Sequence, residues 1–219
     1  MSKKLVIFDL DGTLLDTIAD LAAATNYALR TLGYPQHDVE AYKMFVGNGI
    51  GMLFHRALPE EARVPGVEAR MRELFLSYYK DHSTDLTKPY PGIVELLGAL
   101  KSRGIMTAVA SNKYHEGTCR VIRNSFPDFA FDVVYGHREG YNVKPDPAIV
   151  FDILSDCGIQ DKSQALYVGD TSIDMNTARN AGLDSVAVLW GFRSKAELEA
   201  CSPSHMVTSP SEILDIALR

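Results

Sequence analysis

The chain is poor in cysteine: Cys119, Cys157 and Cys201 are the only three among its 219 residues. Scattered, odd in number and without metal-ligand spacing, they exclude a disulfide framework and a zinc site, and they suit a reducing interior. Long apolar runs are also missing. Lys3 and Lys4 are followed by four apolar residues before Asp9, too few for a secretory core, and no stretch is long enough to span a bilayer. The expected location is the cytoplasm. A basic surplus is the third absence, since 22 Lys and Arg stand against 28 Asp and Glu for a net charge of −6. Such a balance offers no broad face to nucleic acid and no basic patch to a membrane, so an anionic ligand has to be attracted locally. Internal repeats and low-complexity tracts are absent too.

What is present is chemically pointed. Asp9-Leu10-Asp11-Gly12-Thr13 follows directly on Leu5-Val6-Ile7-Phe8. That run lacks the alternation of a half-exposed strand and reads as one covered on both faces, as in parallel α/β sheets, where ligands bind beyond the carboxyl ends of strands. Gly12 permits a sharp turn that keeps Asp9 and Asp11 close, and two anions held together need a cation. Asp-x-Asp-Gly alone is equally a solvated turn; recurrence decides between the two. Ile105 to Ala110 runs into Ser111-Asn112-Lys113, Ala165 to Val168 runs into Gly169-Asp170-Thr171-Ser172-Ile173-Asp174, and Phe131 to Tyr135 precedes a loop carrying Lys144-Pro145.

Between the first two of these segments lies a long helical stretch. Ile18, Leu21, Ala22, Thr25, Leu29 and Leu32 recur at helical spacing, with Asp16 or Thr17 as N-cap and Gly33 as stop. Further helices are expected around 38 to 46, 50 to 58 and 67 to 80, and no strand until Ile105. A strand-helix-strand unit takes roughly 30 residues; the surplus between Asp11 and Ser111 is read as an insertion. Residues 16–86 are the expected helical cap domain, and residues 1–15 with 87–219 the α/β core. The core alternates strands (131–135, 165–169 and 184–189, the last completing the sheet) with a helix opened by Pro91-Gly92 and ending near Gly104, and helices at 115–124, 147–157 with Asp146 as N-cap, and about 173–181. The expected class is therefore α/β, a doubly wound, Rossmann-like parallel sheet with an inserted α-helical cap.

Taken together and in this order, the four strand-end segments resemble the four motifs of the haloacid dehalogenase superfamily of phosphotransferases and span the chain from Asp9 to Asp174. The resemblance implies a Mg²⁺ ion held by Asp9, the main-chain carbonyl of Asp11, and Asp170, with Asp9 as nucleophile and Asp11 as general acid and then general base. It also pairs Lys144 with the phosphoryl group and Asp9. Asp174, four positions after Asp170, falls in the metal's outer shell on this reading; as a first-turn acid it also suits a helix dipole. Ser111 and Asn112 offer a hydroxyl, an amide and main-chain N–H groups to phosphate oxygens, and Thr13 is read as steadying the turn.

The glycine-rich segment Phe45 to Gly51 resembles the cap loop of the superfamily's phosphoglycolate phosphatases and equally an ordinary helix connector; Asn48 and Gly49 are its candidate specificity residues. Arg56 is a candidate partner for a substrate carboxylate. The expected partner is a small phosphorylated metabolite, best represented by 2-phosphoglycolate, hydrolysed through an aspartyl-phosphate. A sugar-phosphate mutase or an inorganic pyrophosphatase of the same superfamily is the alternative, and a phospho-accepting receiver the alternative of another class. Oligomeric state is not encoded legibly.

Overall fold

A computed structural model describes residues 2–219. β1 (Leu5–Phe8) is buried along its whole length. After it the chain makes a two-residue strand β2 (Leu15–Asp16), four helices, α1 (Ile18–Thr31), α2 (Val39–Phe45), α3 (Gly49–Ala57) and α4 (Pro65–His82), and a return strand β3 (Lys88–Pro89). There follow α5 (Ile93–Ser102), β4 (Met106–Tyr114), α6 (His115–Ser125), β5 (Val133–His137), α7 (Ala148–Asp156), β6 (Ala165–Gly169), α8 (Ser172–Ala181), β7 (Asp184–Val188), α9 (Lys195–Ala200), β8 (His205–Val207) and α10 (Pro210–Ala217).

The main sheet has the order β5-β4-β1-β6-β7-β8, and every pairing in it is parallel. Successive strand residues point to opposite faces, and β1 uses this to glue two layers. Val6 and Phe8 join Leu96, Val121 and Ile213 from α5, α6 and α10, whereas Leu5 and Ile7 join Val150, Ile153 and Ala178 from α7 and α8. This is the doubly wound arrangement anticipated from the alternating pattern. A third apolar cluster gathers α1 to α4: Leu21, Ala28, Leu29, Leu53, Phe54, Phe75 and Tyr79 are all buried there, with Phe192 of the sheet's own loops inserted among them. Buried Asp20 ties α1 to the returning chain by accepting bonds from the Leu86 and Thr87 N–H groups and from the Thr87 hydroxyl.

Three features depart from the reading of the sequence. The antiparallel pair Leu15↔Pro89 and Asp16↔Lys88 sits where the chain leaves and rejoins the sheet, and strands of two residues carry no periodicity to detect. β7 does not complete the sheet: β8 adds a parallel edge strand to it, and α10 follows, announced by Pro210 at its first turn and by the reciprocal Ser209–Glu212 capping box. β5 starts at Val133 because Phe131 packs sideways against the core between Phe126 and Phe129. Among the described residues no helix is long and apolar enough to cross a membrane.

Candidate active site

The carboxyl ends of β1, β4 and β6 lie side by side because these strands are neighbours in register, so residues far apart in sequence face one another in the crevice beyond them. Asp9 ends β1. Lys144, on the loop between β5 and α7, donates from its Nζ to Asp9 Oδ1 at 2.7 Å and to Asp174 Oδ1 at 2.7 Å. The same ammonium donates to the Ala110 carbonyl at 2.8 Å and to the Tyr167 hydroxyl at 3.1 Å. Asp170 directly follows β6; its Oδ1 accepts from the Thr13 hydroxyl at 3.0 Å and its Oδ2 from the Phe192 N–H at 2.8 Å. Thr13 thus serves the second carboxylate rather than its own turn.

Room for Asp170 is made by glycine on two sides. Gly12 has φ +91°, and a Cβ there would stand 2.3 Å from Asp170 Oδ2; a Cβ at Gly191 would stand 2.3 Å from the Asp170 Cβ. Asp174 serves as the first-turn acid of α8. Its Oδ2 accepts from the Thr171 hydroxyl at 2.6 Å and the Thr171 N–H at 3.1 Å, forming the capping box of α8, while its other oxygen receives Lys144.

The charge of this cluster does not balance by itself. Oxygens of Asp9, Asp170 and Asp174 lie within 4.8 Å of one another, all three residues are buried, and among the described residues Lys144 is the one ammonium bonded to them. Burial pushes the Asp9 carboxyl up to about 7 against the pull of Lys144, with Asp174 and Asp11 adding to the rise. Asp170, buried and bonded only by a hydroxyl and an amide, is held well above the usual carboxylate range by desolvation and then by Asp174 and Asp9. Three carboxylates against one ammonium leave an excess that one divalent cation would cancel, and the donors are all oxygens, as a hard cation requires. The residues therefore fit a metal of the Mg²⁺ class.

Asp11 is placed beside this cluster and held from both sides. The Thr17 hydroxyl donates to its Oδ1 at 2.7 Å, and Lys113 Nζ stands 3.0 Å from its Oδ2. Lys113 was legible only as part of the Ser-Asn-Lys run, because a lone lysine after a strand is ordinarily a solvated one; here the residue is 8 % exposed. Ser111 is buried at the floor of the site, and its Oγ accepts only from the Lys113 N–H, so its hydroxyl proton is available to a ligand.

Asn112 differs from expectation. Its amide donates to the carbonyls of Gly47 and Lys144 at 3.0 and 3.1 Å, and its oxygen accepts from the Lys144 N–H at 2.7 Å. Both donors being spent, the side chain positions Lys144 and the glycine loop rather than reaching for phosphate. In that loop Gly49 lines the cavity above Asp9, whereas the Asn48 side chain is turned to Arg56, whose guanidinium donates to its Oδ1 at 2.7 Å. Arg56 also holds the Phe45 carbonyl. Arg193, from the segment after β7, holds the carbonyls of Lys43 and Val46. Neither arginine lines the cavity. Its volume is about 50 Å³, closed on the helical side by Leu21, Ile50, Leu53 and Phe75.

Comparison with known proteins agrees with this geometry. A phosphoglycolate phosphatase of Aquifex aeolicus is 31% identical over 213 residues, covering 97% of this chain and 96% of its own. One from Pseudomonas fluorescens is 36% identical over 208 residues, 93% of this chain and 76% of the relative. The crystal structure of a predicted phosphoglycolate phosphatase from Haemophilus somnus matches with a TM-score of 0.91 at 28% identity, covering 99% of this chain and 98% of that one. The profile of the haloacid dehalogenase-like hydrolases matches residues 6–188, from the first sheet strand through β7. With the ends of β1 and β6 bringing Asp9, Asp170 and Asp174 into one buried acidic cluster and that match across most of its length, the chain belongs to the haloacid dehalogenase-like hydrolase family.

Proposed function

We propose that this hydrolase is a Mg²⁺-dependent phosphatase of small phosphomonoesters that works through a phosphorylated Asp9, and that 2-phosphoglycolate is its substrate. The convergence of Asp9, Asp170, Asp174 and Lys144 in one buried cluster carries the reading, and the printed names of the relatives supply the substrate. In this proposal Lys144 fixes the rotation of the Asp9 carboxylate through Oδ1, and an Asp9 oxygen attacks phosphorus in line with the bridging oxygen. The bond from phosphorus to that bridging oxygen breaks, and Asp11 gives its proton to the departing alkoxide. Asp11 then takes a proton from the water that attacks the phospho-aspartate, releasing inorganic phosphate and restoring both carboxyl groups. Ser111 and Lys144 bind the phosphoryl oxygens. Asp9, the Asp11 carbonyl and Asp170 would hold the Mg²⁺, with Asp174 in its outer shell, and the ion would supply positive charge to offset repulsion between the nucleophile and those oxygens. Residues 16–86 act as a cap whose apolar face keeps bulk water from the phospho-enzyme, and Asn48 and Gly49 belong to its substrate-facing loop.

A panel of phosphate-release assays at fixed Mg²⁺ tests the substrate. Phosphoglycolate is expected to give the highest kcat/KM among two-carbon phosphoesters, sugar phosphates, nucleotides and pyrophosphate. Faster release from pyrophosphate, or return of labelled phosphate to a sugar, would replace this reading by a pyrophosphatase or a mutase. A stable phospho-protein without turnover would indicate a receiver.

Chelation tests the metal. Activity is expected to vanish with a chelator and return with added Mg²⁺. Since Asp9 must lose its proton to ligate, calorimetric Mg²⁺ affinity is expected to rise as pH is raised through about 7. Full activity in chelator counts against the assignment.

A further inference from the structure

The cavity holds a second cation that the phosphoryl chemistry leaves unused. Among the described residues, Lys113 and Lys144 are the only cationic side chains lining it. Lys144 is committed to the phosphoryl end of the site, among Asp9, Asp174, the Ala110 carbonyl and the Tyr167 hydroxyl. An ammonium has three N–H donors, and Lys113 spends two, on Asp11 at 3.0 Å and on the Tyr79 hydroxyl at 3.2 Å. One donor of a buried, charged group is therefore left for a ligand. The surrounding side chains Leu21, Ile50, Leu53 and Phe75 are apolar, so a ligand anion that reaches this ammonium meets little competition from water. The arginines that could have met such an anion, Arg56 and Arg193, are spent on main-chain carbonyls of the 43–48 segment.

We infer that Lys113 is the specificity-determining residue of this site, recognising a carboxylate on the alcohol part of the substrate. The inference rests on the phosphomonoesterase reading above and deepens it. Asp11 faces the bridging oxygen in that reading, and Lys113 touches Asp11. The carboxylate it meets thus lies close to that oxygen, one or two carbons away, as in phosphorylated short hydroxy acids. Tyr79, from α4, accepts a bond from the same ammonium and so sets it from the helical side. Two positive centres, one at the phosphoryl group and one at the carboxylate, select a dianionic substrate end to end.

Calorimetric binding in the presence of Mg²⁺ tests this without turnover. The probes are 3-phosphonopropionate, which has a phosphonate and a carboxylate at the right separation, and propylphosphonate, which lacks the carboxylate. Wild-type protein is expected to prefer the first by roughly 10- to 100-fold, and Lys113→Met to bind both alike. Because Lys113→Met leaves Asp11 without its partner, the double variant Lys113→Met/Asp11→Asn removes the pair together and is expected to fold and show the same loss. Asp11→Asn alone releases Lys113 and is expected to enlarge the preference. An equal preference in wild type and in both Lys113 variants overturns the inference, as does the absence of preference in wild type. Failure of the underlying reading shows separately, as absence of phosphate release from every monoester in the panel.

Discussion

Asp9→Asn is expected to reduce phosphate release by roughly 10⁴-fold or more while leaving the protein folded. Asparagine keeps the size and one carbonyl oxygen of the side chain, so the bond that Asp9 Oδ1 accepts from Lys144 at 2.7 Å can persist. What disappears is the anionic oxygen that attacks phosphorus, and an amide is no substitute because it offers neither the charge nor a stable phosphorylated product. The cost to the fold is small for a specific reason. Asp9 is buried among like charges, and its carboxyl is pushed up to about 7, so a neutral side chain relieves repulsion as it removes chemistry. Steady-state phosphate release and thermal unfolding measured on the same preparation check both halves. Wild-type turnover in this variant would falsify the nucleophile assignment.

Lys144→Met is expected to damage stability and activity together, and divalent metal to repair only the first. Lys144 is 3 % exposed and contacts Asp9 and Asp174 at 2.7 Å each. Methionine fills much of the volume of the stem but leaves the Asp9, Asp170 and Asp174 carboxylates without an ammonium. Removing one partner of a buried ion pair typically costs about 3–5 kcal/mol, and the cost is expected as a lowered denaturant midpoint in chelator. Adding Mg²⁺ restores charge to the same cluster and is expected to recover a substantial part of the midpoint. Turnover stays low, since both the orientation of Asp9 and a cationic contact to the phosphoryl group are lost; one such electrostatic contact is worth roughly 10²- to 10³-fold. An unchanged midpoint in chelator would show that Lys144 does not offset the buried charge.

The legibility of this protein divides along a physical line. The sheet was readable because β1 carries its own instructions: four apolar residues without alternation require cover on both faces, and the structure provides α5, α6 and α10 on one side and α7 and α8 on the other. The helices of the 16–86 stretch were readable from local spacing, and α1 runs from Ile18 to Thr31 much as its apolar positions dictate. Asp9, Asp170 and Lys144 were readable because each ends or follows such a strand. Short elements were not. A two-residue ladder such as β2–β3 has no pattern, and its existence depends on where the returning chain meets the departing one.

Side-chain allegiances were the other thing hidden. Thr13 bonds Asp170 across 157 positions of sequence, Asn112 spends its amide on the Gly47 and Lys144 carbonyls, Arg56 turns to Asn48, and Lys113 lies against Asp11 and Tyr79. From the sequence alone came the doubly wound class, the helices that follow the first strand and the acidic and basic residues at strand ends, because periodicity and strand termini are properties of neighbouring residues. Only the tertiary structure decided which partner each polar group takes and which cation is left free to meet a ligand. Hydrogen bonds and ion pairs are settled by distances of about 3 Å, and the packing of strands and helices, not their order in the chain, sets those distances.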